Sequence, residues 1–161
     1  MSVSRIPEGY HSVTPYLVID GAAEAIRFYE RAFGAVEVLS MPIGDSGRIA
    51  HAEIRIGDSH VMMSDEHPDM GLLGPKARGG ATASLMIYTE DVDAMFARAI
   101  DAGATQERAV ENQFYGDRAG TLVDPFGHRW TIATHVEDVS PEELNRRMAQ
   151  MFAPNPQPQP A

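Results

Sequence analysis

The sequence predicts an α+β fold built from two βαβββ modules packed together around a concave space. Three observations carry this prediction. The order of element signals in the first half recurs in the second, offset by about 70 residues. Each half holds one helical pattern closed by a glycine, Gly34 in the first and Gly103 in the second. Each half also holds four short β-rich runs bounded by turn residues.

In the first half, Val13–Ile19 (VTPYLVI) is rich in strand formers and ends at Asp20-Gly21. The helix that follows puts Ala22, Ala25, Ile26, Tyr29, Ala32 and Phe33 on one face at the 3.6-residue period. Val36–Leu39 and Ile49–Ile56 read as strands on either side of a turn at Gly44–Gly47. Gly57-Asp58 then turns the chain into His60–Ser64. The second half repeats the order. Ser84–Tyr88 is a strand, and Val92, Met95, Phe96, Ala99 and Ile100 form a helical stripe. Thr105–Val110, Gly120–Val123 and His128–Thr134 supply the remaining strands, the last two joined at Pro125-Phe126-Gly127. The modules span about 12–65 and 82–135, inside one domain of residues 1–139, with a Gly/Pro-rich linker at 66–80. Half a chain with one helix and four strands cannot cover its own sheet, so the halves must pack together or against another chain.

A third helix is expected over 140–152. Ser140 stands at the N-cap, Pro141 at the first helical position and Glu143 at the third, a capping box. Leu144, Met148 and Met151 form its apolar stripe and are expected to pack on the body or on a partner chain. The tail at 153–161 (APNPQPQPA) is expected to be disordered, because it has too little apolar surface to bury.

Composition narrows the function. A hydrophobic content of 43% supports a real core. The formal net charge of −10, with no basic run, argues against nucleic-acid binding, which depends on Lys and Arg neutralising phosphates. No apolar run is long enough to span a bilayer, and the N-terminal MSVSRIPEGYHSV has no secretory apolar stretch. The absence of cysteine removes disulfides, thiolate ligands and thiol catalysis, which suits a cytoplasmic protein. Neither a phosphate-binding glycine loop nor a nucleophile elbow is present.

The segments VTPYLVIDGAAEAIRFYERAFGA, EDVDAMFARAIDAGA and GTLVDPFGHRWTIATHVEDVSPEEL, in this order, resemble the vicinal oxygen chelate superfamily. That group includes glyoxalase I, bleomycin and fosfomycin resistance proteins and extradiol dioxygenases. The resemblance covers residues 12–147 and is nearest to the PhnB-like branch. It implies paired βαβββ modules forming a cup-shaped mixed sheet, the glyoxalase/bleomycin resistance-like fold, and a homodimer. It also implies metal ligands (His, Gln or Glu) on the first and last strands of each module. Those positions fall here on Thr14, on Val61 or Met62, on Thr82 or Ser84, and on Thr131, none of them a good ligand for a dication. No metal and no other cofactor is therefore expected.

The remaining candidates line the expected cup. His51 and Glu53 lie two apart on a strand and so share a face. His60 is expected off the face that Met62 presents. Tyr16, Met62, Met86, Tyr88, Phe114, Tyr115, Trp130 and Thr131 surround the space, and methionines and aromatics make adaptable walls for flat apolar ligands. Arg118 is a candidate anchor for an anionic or carbonyl group. Two functions follow. One is a metal-free, homodimeric protein that sequesters an apolar or aromatic small molecule. The other is a divalent-metal-dependent lyase, thiol transferase or dioxygenase whose ligands lie elsewhere, His51 and Glu53 being the best remaining pair. A third class, metal-free enzyme or protein-docking module, would use the acidic surface and the last helix.

Overall fold

A computed structural model describes residues 3–152. The Pro-rich tail, read from the sequence as disordered, lies outside the described residues. The elements run β1 (Tyr16–Ile19), α1 (Ala22–Phe33), β2 (Val36–Pro42), β3 (Ile49–Ile56), β4 (Ser59–Asp65), β5 (Ser84–Tyr88), α2 (Val92–Asp101), β6 (Thr105–Asn112), β7 (Asp117–Val123), β8 (Arg129–His135) and α3 (Pro141–Met151). A short 3-10 turn at Pro68–Met70 interrupts the linker. The α+β class holds, and the strands form two four-stranded sheets with the same order, β1-β4-β3-β2 and β5-β8-β7-β6. In each sheet the first strand runs parallel to the last and the other pairs are antiparallel. No helix among the described residues is long and apolar enough to cross a membrane.

The repeat extends to the helix starts. Asp65, at the end of β4, accepts hydrogen bonds from the backbone N–H of Gly21 (2.9 Å) and Ala22 (3.0 Å), placing a carboxylate at the positive end of α1. Its other oxygen takes the N–H of Ile49 at 2.6 Å. Near the end of β8 the hydroxyl of Thr134 accepts from the N–H of Val92 (3.0 Å) at the start of α2. Gly34 closes α1 at φ 68, a left-handed conformation that costs a residue with a Cβ.

One face of each sheet packs on its helix. Leu17, Ile19, Ala52, Ile54, Val61 and Met63 bury against α1, while Leu122, Trp130 and Ile132 bury with Val92, Phe96 and Ala99 of α2. Each large apolar side chain buried this way contributes about 1.5–3 kcal/mol. The modules join through aromatic rings: Phe33 and Tyr29 of α1 lie 4.9 and 5.4 Å from Trp130, centroid to centroid. Beneath them sits the buried carboxylate of Asp124. It accepts from the Tyr29 hydroxyl (2.7 Å), the Trp130 indole N–H (2.9 Å) and the backbone N–H groups of Phe126 and His128. Next to this hub, His128 bonds through Nε2 to the carbonyl of Val18 (3.2 Å), and burial holds its imidazole below the usual histidine range.

Two local expectations are corrected. β1 begins at Tyr16, three residues later than Val13, because Pro15 has no N–H to give to a ladder; its carbonyl still accepts from Met62. β2 and β6 run longer than read, through register shifts that blur the period-2 pattern on two exposed strands. Within one chain the stripe of α3 is open, with Leu144 half-buried and Met148 and Met151 exposed, Met151 at 61%. Arg147 holds α3 in its place, pairing with Glu137 (2.6 Å) and Glu143 (2.7 Å) and donating to the carbonyl of Phe114.

Candidate functional site

The sheet faces turned away from the helices carry the chemistry. On the first, Tyr16 pairs in register with Met62, Met62 with Glu53, and Glu53 with Leu39, so the four form one row across β1, β4, β3 and β2. His51 lies two residues from Glu53 on the same face, as the sequence implied. The side chains form a chain of hydrogen bonds. The Tyr16 hydroxyl meets His51 Nδ1 at 3.1 Å, and His51 Nε2 meets Glu53 Oε1 at 3.0 Å. The hydroxyl of Tyr10 donates to Glu53 Oε2. His60 shares this face with Met62, a correction to the expectation that it lies off it: its partner is Arg55, as Met62 has Glu53. Its ring stacks on Tyr10 with centroids 4.1 Å apart. Ser64 follows on this side of β4, its hydroxyl buried with no partner among the described residues.

The second sheet repeats the plan with different groups. Met86 pairs in register with Thr131, whose hydroxyl lies 3.3 Å from that of Thr121, and Tyr88 pairs with Ala133. The Tyr88 hydroxyl donates to buried Asp117 (2.8 Å), which raises the pKa of the phenol above the ordinary tyrosine value. His135 sits between Asp138 and Asp117, at 2.9 Å from each, and these two carboxylates raise its imidazole above the usual histidine value.

Between the modules lies a cleft of about 890 Å³, within the range of small-molecule sites. His11, Thr14 and His60 border it on one side, and Ser84, Met86 and Tyr88 on the other. Tyr88 is 62% exposed, Tyr16 49% and Met86 45%, so the apolar and aromatic groups are open to a ligand or a second chain.

The structure gathers Tyr16, His51, Glu53 and Met62 on the first face, and Met86, Tyr88 and Thr131 on the second. It does not bring the others there. Trp130 is 1% exposed and gives its N–H to Asp124 on the helix side, and it is also among the residues that line the cleft. Arg118 lies on the helix side of β7, paired in two bonds with Asp93 at the start of α2 (2.8 and 2.6 Å). That correction follows from alternation, because its neighbours Asp117 and Ala119 occupy the open side. Phe114 and Tyr115 sit in the β6–β7 turn, edge to face at 5.3 Å, outside the lining of the cleft, with Tyr115 near Tyr88 and Asp117 at the edge of the second cluster. Sequence reasoning missed Tyr10, Asp117 and Asp138. Tyr10 precedes the first strand and meets Glu53 across 43 residues, a contact that no local pattern encodes.

The donor set does not fit the metal that the fold family implies. Val61 faces the core, which leaves Met62 as the β4 position, and Thr14, Ser84 and Thr131 offer only neutral hydroxyls. A thioether and three hydroxyls carry no charge to offset a dication's lost hydration. Among the described residues, no three His, Asp or Glu side chains are grouped to hold a metal ion. His51 and Glu53 already turn their facing atoms toward each other.

Residues 10–132 match the Glyoxalase/Bleomycin resistance protein/Dioxygenase superfamily. The uncharacterized protein Mb0911c of Mycobacterium bovis is 41% identical over 141 residues, spanning 86% of this chain and 92% of that protein. Among solved structures, TioX from Micromonospora sp. ML1 superposes with a TM-score of 0.61 at 23% identity, covering 81% of this chain and 100% of TioX. The PhnB protein from Bacillus cereus does so with a TM-score of 0.57 at 19% identity, covering 77% and 99%. Both structural likenesses speak to the fold alone. Two βαβββ repeats, their common strand order and a match over most of the chain agree: this chain belongs to the Glyoxalase/Bleomycin resistance protein/Dioxygenase superfamily.

Proposed function

We propose that this chain is a metal-free, cytoplasmic small-molecule-binding protein of the PhnB-like branch, which sequesters an apolar or aromatic ligand. The observation that carries the reading is the composition of the open faces and cleft. Where metal chemistry would need carboxylates and imidazoles, the strands present Met62, Met86, Thr14, Ser84 and Thr131, flanked by the exposed rings of Tyr16 and Tyr88. Thioethers and aromatic rings attract flat apolar molecules and adapt to their shape. The protein acts as a homodimer. Each sheet leaves its non-helix face open in one chain, with Leu39, Met41 and Val38 exposed on β2, and a second copy covers such faces while enclosing the ligand.

A second reading, a divalent-metal-dependent lyase, thiol transferase or dioxygenase, rests on His51 and Glu53, an imidazole and a carboxylate brought together on one face at 3.0 Å. One experiment separates the two. Protein purified without chelator is assayed for zinc, nickel, manganese and iron, then heated with a panel of planar aromatic compounds. Binding predicts substoichiometric metal and a clear rise in Tm with at least one compound. Near-stoichiometric metal that is lost in His51→Ala overturns the metal-free reading.

A further inference from the structure

We infer that Tyr16 presents a hydrogen-bond acceptor to the ligand, so that the preferred ligands are aromatic molecules carrying an O–H or N–H donor. Given a chain that binds aromatic molecules, as proposed above, the hydrogen-bond chain on the first sheet selects among them. The argument starts from the far end. An ionised carboxylate only accepts, so Glu53 takes the Tyr10 O–H on one oxygen and needs a donor on the other. The group facing that oxygen is His51 Nε2, 3.0 Å away. In the neutral ring Nε2 must therefore carry the proton, because the opposite tautomer would set a nitrogen lone pair against an oxygen lone pair. Nδ1 is then an acceptor, and the group at 3.1 Å from it, the Tyr16 hydroxyl, must donate. A phenol has one proton. With that proton committed to His51, the Tyr16 oxygen meets a ligand with lone pairs only.

The fold fixes this direction. Tyr16, Met62 and Glu53 stand in one row, so the phenol and the thioether are neighbours on the open face. Tyr16 is half exposed, whereas the His51 and Glu53 side chains are 25% and 14% exposed, so the tyrosine is the end of the chain that a ligand reaches. On the second sheet Tyr88 also commits its proton, directly to the Asp117 carboxylate, so it too offers lone pairs; what sets Tyr16 apart is that an imidazole fixes its direction and that Met62 stands beside it in register.

The test uses naphthol and its methyl ether, which differ in one donor, titrated into the full chain at about pH 8.5 and followed by thermal shift and calorimetry. The wild type is expected to bind naphthol roughly three- to tenfold tighter than the ether, the worth of one neutral hydrogen bond. Tyr16→Phe keeps the ring and removes the acceptor, so naphthol and its ether should bind this variant equally. His51→Ala frees the Tyr16 proton for the ligand and should narrow the preference from the other side. Equal binding of both compounds by the wild type, or a preference that survives Tyr16→Phe, overturns the inference and leaves the binding reading standing. Binding of neither compound overturns both.

Discussion

The join between the two modules can be tested at a single hydroxyl. Tyr29→Phe removes one atom, the oxygen that donates to Asp124 across 95 residues of sequence, and leaves the ring packing against Trp130 and Phe33 in place. Asp124 keeps three donors, the Trp130 indole N–H and two backbone N–H groups, so the carboxylate is weakened and not orphaned. A buried hydrogen bond to a charged acceptor contributes about 1.5–3 kcal/mol. The expected loss is therefore about 2 kcal/mol, or a fall in Tm of roughly 4–8 °C for a chain of this length. Urea unfolding followed by circular dichroism, with both proteins at one concentration, measures it. Alkaline pH gives a second signature. Burial, with Asp124 beside it, raises the Tyr29 phenol well above its ordinary value. Its contribution is thus complete below the unfolded tyrosine pKa of about 10 and is lost as pH rises beyond that, because the unfolded chain releases the proton first. Tyr29→Phe should flatten that alkaline slope. A loss below about 0.5 kcal/mol, with the slope unchanged, would mean that the modules are not joined at Asp124.

Other perturbations read other parts of the structure. Asp65→Asn removes the charge that caps α1 and one of the acceptors serving Gly21, Ala22 and Ile49; a loss of about 2–3 kcal/mol in the same urea assay is expected. Gly116→Ala places a Cβ 2.1 Å from the carbonyl of Glu137 at a residue with φ 101, so it should cost about 3 kcal/mol or more, read as lower Tm and yield. Arg147→Ala should speed amide exchange across Pro141–Met151 while leaving the core strands protected, because its side chain ties α3 to Glu137 and Phe114. Acid should do the same late. Arg146 and Arg147 lower the Glu143 carboxyl to about 2, so its contribution is complete above the ordinary glutamate pKa of about 4.3, shrinks gradually below it and is gone only as pH falls through about 2. Exchange measured down the pH series, with α3 released near pH 4, would contradict that anchoring.

The fold was legible because its signals are local and repeated. Helical stripes ending at Gly34 and Gly103, and turn residues at Gly57-Asp58 and Pro125–Gly127, are set by neighbouring residues, and the repeat confirms each half with the other. His51 and Glu53 were legible for the same reason, since alternation alone puts them on one face. What failed was non-local. Nothing in the sequence shows that Asp124 takes the Trp130 N–H, and Arg118 looks like an anchor until Asp93 arrives from the next helix. For α3, periodicity shows that a face is apolar without showing what covers it. Tyr10 was invisible because nothing in a segment before the first strand records a partner on β3.

The central claim is that the ligand is held by thioethers, rings and hydroxyls, with no metal between it and the protein. The direct test is calorimetric titration of the best-binding aromatic compound before and after exhaustive treatment with chelator. The same affinity and the same stoichiometry in both titrations are expected. A loss of affinity of tenfold or more after chelation, restored by adding back one divalent metal, would contradict the claim and identify the protein as a metal-dependent member of its superfamily.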